Sequence, residues 1–211
     1  MDKIDFMDII ELSKYIVNKF SEQSPNGITP MKLQKLLFYV KVWSLVAGNE
    51  LVIADFEHWN YGPVNREVYD YYKKYSSKSI ELKESSNLNL DESQEELINF
   101  IVENYIAFDA FALSAMTHTE EPWKQTSQNE IISNELINSY YSEQRFAKNF
   151  NSGLDLSNKP FYPLQDYSFE IDMSREDAEE IAKYTSYENY KEILDGVEQD
   201  FNQHWSNLVL N

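Results

Sequence analysis

Thr117-His118-Thr119-Glu120-Glu121 is the one compact run in this chain whose residue types could do chemistry. An imidazole beside two carboxylates offers either a metal-ligand set or an acid–base pair. The chain has three histidines and no cysteine, so such a site would have to be built around His118 alone, because His58 and His204 stand isolated. A structural role needs fewer assumptions. At a helix C-terminus His118 would bond free carbonyls and meet the negative end of the dipole, with Pro122-Trp123 folding back as a hydrophobic plug. The expectation is therefore no metal and no cofactor. Gly-rich phosphate loops, G-x-S-x-G elbows and H-E-x-x-H motifs are absent from the sequence, and the chain reads as a non-enzyme.

The elements around that run follow from periodicity and punctuation. Ile9, Leu12, Ile16 and Phe20, with Tyr15 beside them, have helical spacing. Pro25, Asn26 and Gly27 interrupt the chain, after which Thr29 offers an N-cap and Pro30 a first helical position. In the helix that follows, Leu33, Leu36, Leu37, Val40, Ser44 and Ala47 form one stripe, while Phe38, Tyr39, Val42, Trp43, Leu45 and Val46 cover much of the rest. A helix that is apolar nearly all round belongs inside a core. Gly48-Asn49 ends it, and Leu51 to Trp59 predicts a short strand or extended arm. Tyr61-Gly62-Pro63-Val64 predicts a chain reversal that launches a helix carrying Val64, Val68, Tyr71, Tyr72 and Tyr75.

Residues 76–90 predict a loop with a short strand around Ile80 to Lys83. Asp91 with Gln94 matches a capping box ahead of Leu97, Ile98, Ile101, Val102 and Tyr105. Asp109 and Ser133 are further N-cap candidates, and Pro122 predicts a break between their helices.

Three segments in fixed order carry a resemblance: KLQKLLFY at Lys32–Tyr39, HWNYGPVNREVY at His58–Tyr69, and LSAMTHTEEPWK at Leu113–Lys124. Together they resemble the Panacea (SocA-like) antitoxin domain, with its KLQKLLYY-type helix, W-x-YGPV-type corner and THQE-x-PW-type turn. The resemblance runs from about Ile4 to Tyr141. Thr119 stands where the family more often shows Gln. It implies a toxin–antitoxin context in bacteria and phages or prophages, in which the domain neutralises a partner toxin by protein–protein contact. The motif residues it marks are Lys32, Leu33, Gln34, Lys35, Leu36, Trp59, Tyr61, Gly62, Pro63, Val64, Thr117, His118, Glu121, Pro122 and Trp123. These serve either as scaffold or as a partner surface, since Trp and Tyr suit both cores and binding hot spots.

The formal charge is −18 over 211 residues, and its distribution is uneven. Residues 1–80 hold ten Lys/Arg and ten Asp/Glu; residues 81–211 hold the remaining eight bases and 26 acids, and so carry the whole excess. Such a surface repels phosphates and speeds encounter with basic proteins. The expected partner is a toxin with a basic surface, and direct nucleic-acid binding is disfavoured. The alternative function is an acidic, nucleic-acid-mimicking or phage-encoded inhibitor of a host defence or DNA-binding protein. No signal-like start and no apolar run of about 20 residues occurs, so a cytoplasmic location away from membranes is expected.

The last third lies beyond the resemblance. Residues 151–173 read as a connecting segment longer than the ~15 residues usual inside a compact domain. Thr185 and Glu188 then match a capping box opening a helix with Tyr190, Leu194, Val197, Phe201, Trp205 and Leu208 on one stripe. Its acidic face and apolar stripe make Glu188, Glu192, Asp195, Phe201 and Trp205 candidates for partner binding, although docking on its own domain fits the pattern too. The expected architecture is mainly α, α+β at most: a compact helical domain over 1–150 with a small strand pair or hairpin, then an acidic helical extension over 151–211. Oligomeric state is not specified by these features.

Overall fold

The computed structural model describes residues 7–150. Among them are seven α-helices and one two-stranded antiparallel sheet, so the fold is mainly α with a small β-hairpin. The expected extension over 151–211, with Glu188, Glu192, Asp195, Phe201 and Trp205, lies outside the described residues.

Helix α1 (Ile9–Phe20) begins where the Asp8 carboxylate accepts from the Ile10 and Glu11 amides. Helix α2 (Pro30–Val46) begins at Thr29, whose hydroxyl accepts from the Lys32 amide, with Pro30 in the first turn. Every residue from Pro30 to Ser44 is buried. This helix is the axis of the fold: α1, α4, α5, α7, α3 and the second strand all pack on it. Its sequence explains that position, because a helix with no polar stripe is stable only when enclosed.

After Gly48, which takes φ +72°, residues 51–56 run extended without strand partners of their own, and only Glu57–Trp59 forms strand β1. It pairs with β2 (Gly62–Val64), Glu57 opposite Val64 and Trp59 opposite Gly62. The predicted Gly-Pro corner is thus the return strand of a hairpin. Helix α3 (Arg66–Tyr72) starts only after it, capped by the Asn65 side chain on the Val68 amide. Three residues are too few for a period-two pattern to show in sequence. On its other side β1 meets residues 129–132: His58 N donates to Glu130 O at 2.9 Å and Ile132 N to Phe56 O at 2.8 Å.

Helices α4 (Glu92–Tyr105), α5 (Ala110–Thr119), α6 (Glu121–Lys124) and α7 (Asn134–Tyr141) complete the set. The Asp91–Gln94 capping box forms, and Asp109 and Ser133 cap α5 and α7. One expectation is corrected. The strand near Ile80 does not form; Ile80 is buried and gives a single backbone bond to Ile28 O, the apolar side chain docking where a ladder was expected. The break expected at Pro122 between the helices capped by Asp109 and Ser133 is present, and Pro122 itself opens the short helix α6, where its missing N–H costs nothing. Nearly all the buried apolar side chains of the described residues, from Met7 to Phe150, make one cluster. No single helix among the described residues is long and apolar enough to cross a membrane.

Candidate functional site

The polar residues of α2 are as buried as its leucines, and each holds a different piece of chain. Lys32 Nζ donates to Ser24 Oγ at 2.7 Å and to Ile106 O at 2.6 Å. Gln34 answers both backbone groups of Asn65, donating to its carbonyl at 3.0 Å and accepting from its amide at 2.8 Å. Lys35 Nζ donates to Pro63 O at 2.9 Å, and Lys41 Nζ to Ala54 O at 2.6 Å. Buried ammonium groups lose hydration that one or two carbonyls replace only in part. Burial accordingly pulls Lys32 down to about 8, with Asp109 opposing, and Lys35 down to about 7; Lys41 is lowered for the same reason. Lys32 thus staples the core helix to the chain at Ser24 and at Ile106, while Gln34 and Lys35 together staple it to the segment Pro63–Asn65.

The hairpin and the α5–α6 turn meet over Lys35. Gly62 has φ +93°, and a Cβ there would fall on Thr117 Oγ1 and lie 2.8 Å from Lys35 Cε. Only glycine accommodates both the backbone and the contact. Thr117 is fully buried, its hydroxyl donating to Ser114 O at 2.8 Å, while Ser114 Oγ donates to Tyr61 O at 2.9 Å. Trp123 Nε1 donates to Trp59 O at 3.2 Å. The corner residues and the turn residues, separated by more than fifty positions in sequence, are therefore one assembly.

His58 and His118 both lie against the Trp123 indole, with ring centroids 4.0 and 4.2 Å away. His58 Nδ1 donates to Thr126 O at 2.6 Å, which fixes its tautomer. His118 bonds the Asn60 backbone, and its Nε2 is buried with no partner. Burial, helped by the nearby Lys35 and His58 charges, pulls its pKa down to about 4. An expectation is corrected here. His118 does sit in the last turn of α5, but it reaches across to the hairpin instead of capping its own helix, and a neutral ring has no charge to offer the dipole.

The sequence pointed to Glu121, yet Glu120 is the engaged carboxyl. Glu121 is exposed, 3.6 Å from Lys124 and hydrogen-bonded to Gln125. Glu120 turns inward, where Tyr39 of α2 donates to Oε1 at 3.1 Å and Tyr141 of α7 donates to Oε2 at 2.5 Å. Burial raises its pKa to about 8 against the pull of the two hydroxyls, so near neutral pH it is largely the uncharged acid. Burial pushes the Tyr141 hydroxyl up as well, with the Glu120 carboxyl adding to it.

The remaining motif residues divide by depth. Leu33 and Leu36 are core, Val64 and Pro122 are buried, and Trp59 and Tyr61 are half-buried. Among the described residues no group of three or more His, Asp or Glu side chains could hold a metal. His118, the one residue around which a site would be built, is enclosed between an indole and the hairpin backbone. The arrangement holds two segments of chain together.

Residues 33–124 match the family model described as antitoxin SocA-like, Panacea domain. This stretch, which contains the core helix from Leu33, the hairpin and the turn that closes on it, is similar to that family. The match lies within the wider Ile4–Tyr141 resemblance. No curated protein and no solved structure matches the chain.

Proposed function

We propose that this protein is an antitoxin that neutralises a cognate protein toxin by direct binding and does no chemistry of its own. The observation that carries the reading is the family match over 33–124. The inward-facing motif residues support it, since they build a rigid body whose outer surface is left for recognition. The partner is a toxin with a basic surface: the −18 charge, concentrated in residues 81–211, steers a cationic protein into contact and disfavours nucleic acid. Glu188, Glu192, Asp195, Phe201 and Trp205 contribute to that selection, and the protein works in the cytoplasm.

Co-expression with the product of the adjacent reading frame tests this. Full-length protein restores growth when that product is toxic. A chain truncated after Phe150 restores less; equal rescue would remove the selector role of residues 151–211, and no rescue by the full chain would remove the antitoxin reading.

The same charge favours a second reading, an acidic inhibitor that occupies a DNA-binding surface. Binding to its target would then compete with duplex DNA and weaken steeply with salt.

A further inference from the structure

The outer edge beside β1 has features that the stapled core does not use. Because His58 N and Ile132 N make the flanking bonds, Glu57 and Ile131 form a non-hydrogen-bonded pair, and the N–H and C=O of Ile131 point away from β1. The Ile131 side chain is 51% exposed. Along the neighbouring extended run Ala54 and Phe56 are buried while Ile53, 61% exposed, and Asp55 face out. Alternation puts Ile53, Asp55 and Glu57 on one face, and cross-strand pairing adds Ile131 to it. Asp55, Glu130 and Glu135 are exposed along this edge, no lysine or arginine occurs in 129–135 or 50–57, and the base that reaches this face, Arg66, is already paired with Glu57 at 2.6 Å.

We infer that this edge is a docking surface for an extended, basic segment of the partner, which pairs with the outward N–H and C=O of Ile131. Backbone pairing at Ile131 supplies registry, Ile131 receives an apolar side chain, and the carboxylate of Glu130, one position along and so on the other side of the strand, meets lysine or arginine at the neighbouring position. The occupant is read from charge: an acidic rim around isoleucines selects a strand of alternating apolar and cationic residues over an acidic one. The inference rests on the antitoxin reading for the identity of the partner, and not for the existence of the surface.

The test uses the full-length chain and a synthetic peptide of about ten residues alternating valine and lysine, with a valine–glutamate peptide as control. Hydrogen exchange at the Ile131 amide is fast in the free protein and slows when the lysine peptide is added. Ile131→Lys, at an exposed position, keeps the fold and weakens the peptide at least ~10-fold, the equivalent of losing about 1.4 kcal/mol. Three results overturn the inference: an Ile131 amide already protected in the free chain, which would mean that residues 151–211 or a second copy cover the edge; equal binding of the glutamate peptide; or stronger binding of duplex DNA. Rescue of growth from the adjacent gene's product, with the Ile131 amide unprotected in that complex, sinks the surface and leaves the antitoxin reading standing. Failure of rescue sinks that reading while the peptide result still decides the surface.

Discussion

Lys35 Nζ lies 2.9 Å from the Pro63 carbonyl, a bond from the middle of the core helix to the return strand of the hairpin. It joins the first two signature segments through one proton donor, and Gly62 beside it leaves the room that makes the approach possible.

Lys35→Met keeps most of the stem and removes the buried charge, but leaves the Pro63 carbonyl unanswered. We expect a loss of about 1–3 kcal/mol, the usual penalty for an orphaned buried acceptor, partly offset because an ammonium no longer has to be desolvated. Lys35→Ala adds a cavity and costs more. Urea unfolding monitored by circular dichroism ranks the two; equal stability of Met and wild type would show that the bond holds nothing.

Gly62→Ala places a methyl group on the Thr117 hydroxyl and asks an L-residue to adopt φ +93°. A destabilisation of ~1–3 kcal/mol from the backbone alone is expected, with the clash in addition. Thr117→Ser does not relieve it, because Oγ remains. Thermal unfolding of the single and double variants decides this.

His118 and Glu120 give opposite pH slopes. His118 is held at about 4 when folded against 6.5 free; the unfolded chain binds the extra proton between those values, so its contribution is full above pH 6.5 and is lost as pH falls toward 4. Glu120 is raised from 4.5 to about 8; here the folded chain binds the extra proton, so stability is full below pH 4.5 and is lost as pH rises through 8. The Tm difference between wild type and Glu120→Gln should therefore shrink or reverse from pH 4.5 to 8. A flat difference would place Glu120 in solvent.

Glu121→Gln should change stability by no more than about 0.5 kcal/mol, as expected of an exposed position with a weak ion pair. Glu120→Ala should cost several times more, because the Tyr39 and Tyr141 hydroxyls lose their shared acceptor. Paired denaturation curves at pH 6 test the assignment of the inward carboxyl.

Much of the fold was legible because its signals are local. Thr29, Asp91, Asp109 and Ser133 cap helices within three residues of themselves, and the apolar surround of α2 announces burial without reference to any partner. What stayed hidden depends on distant chain. Nothing near Lys35 names Pro63 as its acceptor, and nothing near Gln34 names Asn65. The strand at Gly62–Val64 is defined by its pairing with β1, and the choice between Glu120 and Glu121 by two tyrosines on other helices. The stack of His58 and His118 on Trp123 had the same character: each residue was visible, their meeting was not.

The staples along α2 have one more consequence. Lys32, Gln34 and Lys35 grip main-chain groups at Ile106, Asn65 and Pro63, so these bonds ask nothing of the side chains at those positions. Grip on backbone is indifferent to side-chain identity, so the residues displayed on the loops can be exchanged one by one while the clamps stay closed. A body fastened in this way can be re-aimed at a new target by surface substitution alone, without a new core having to be invented for each one.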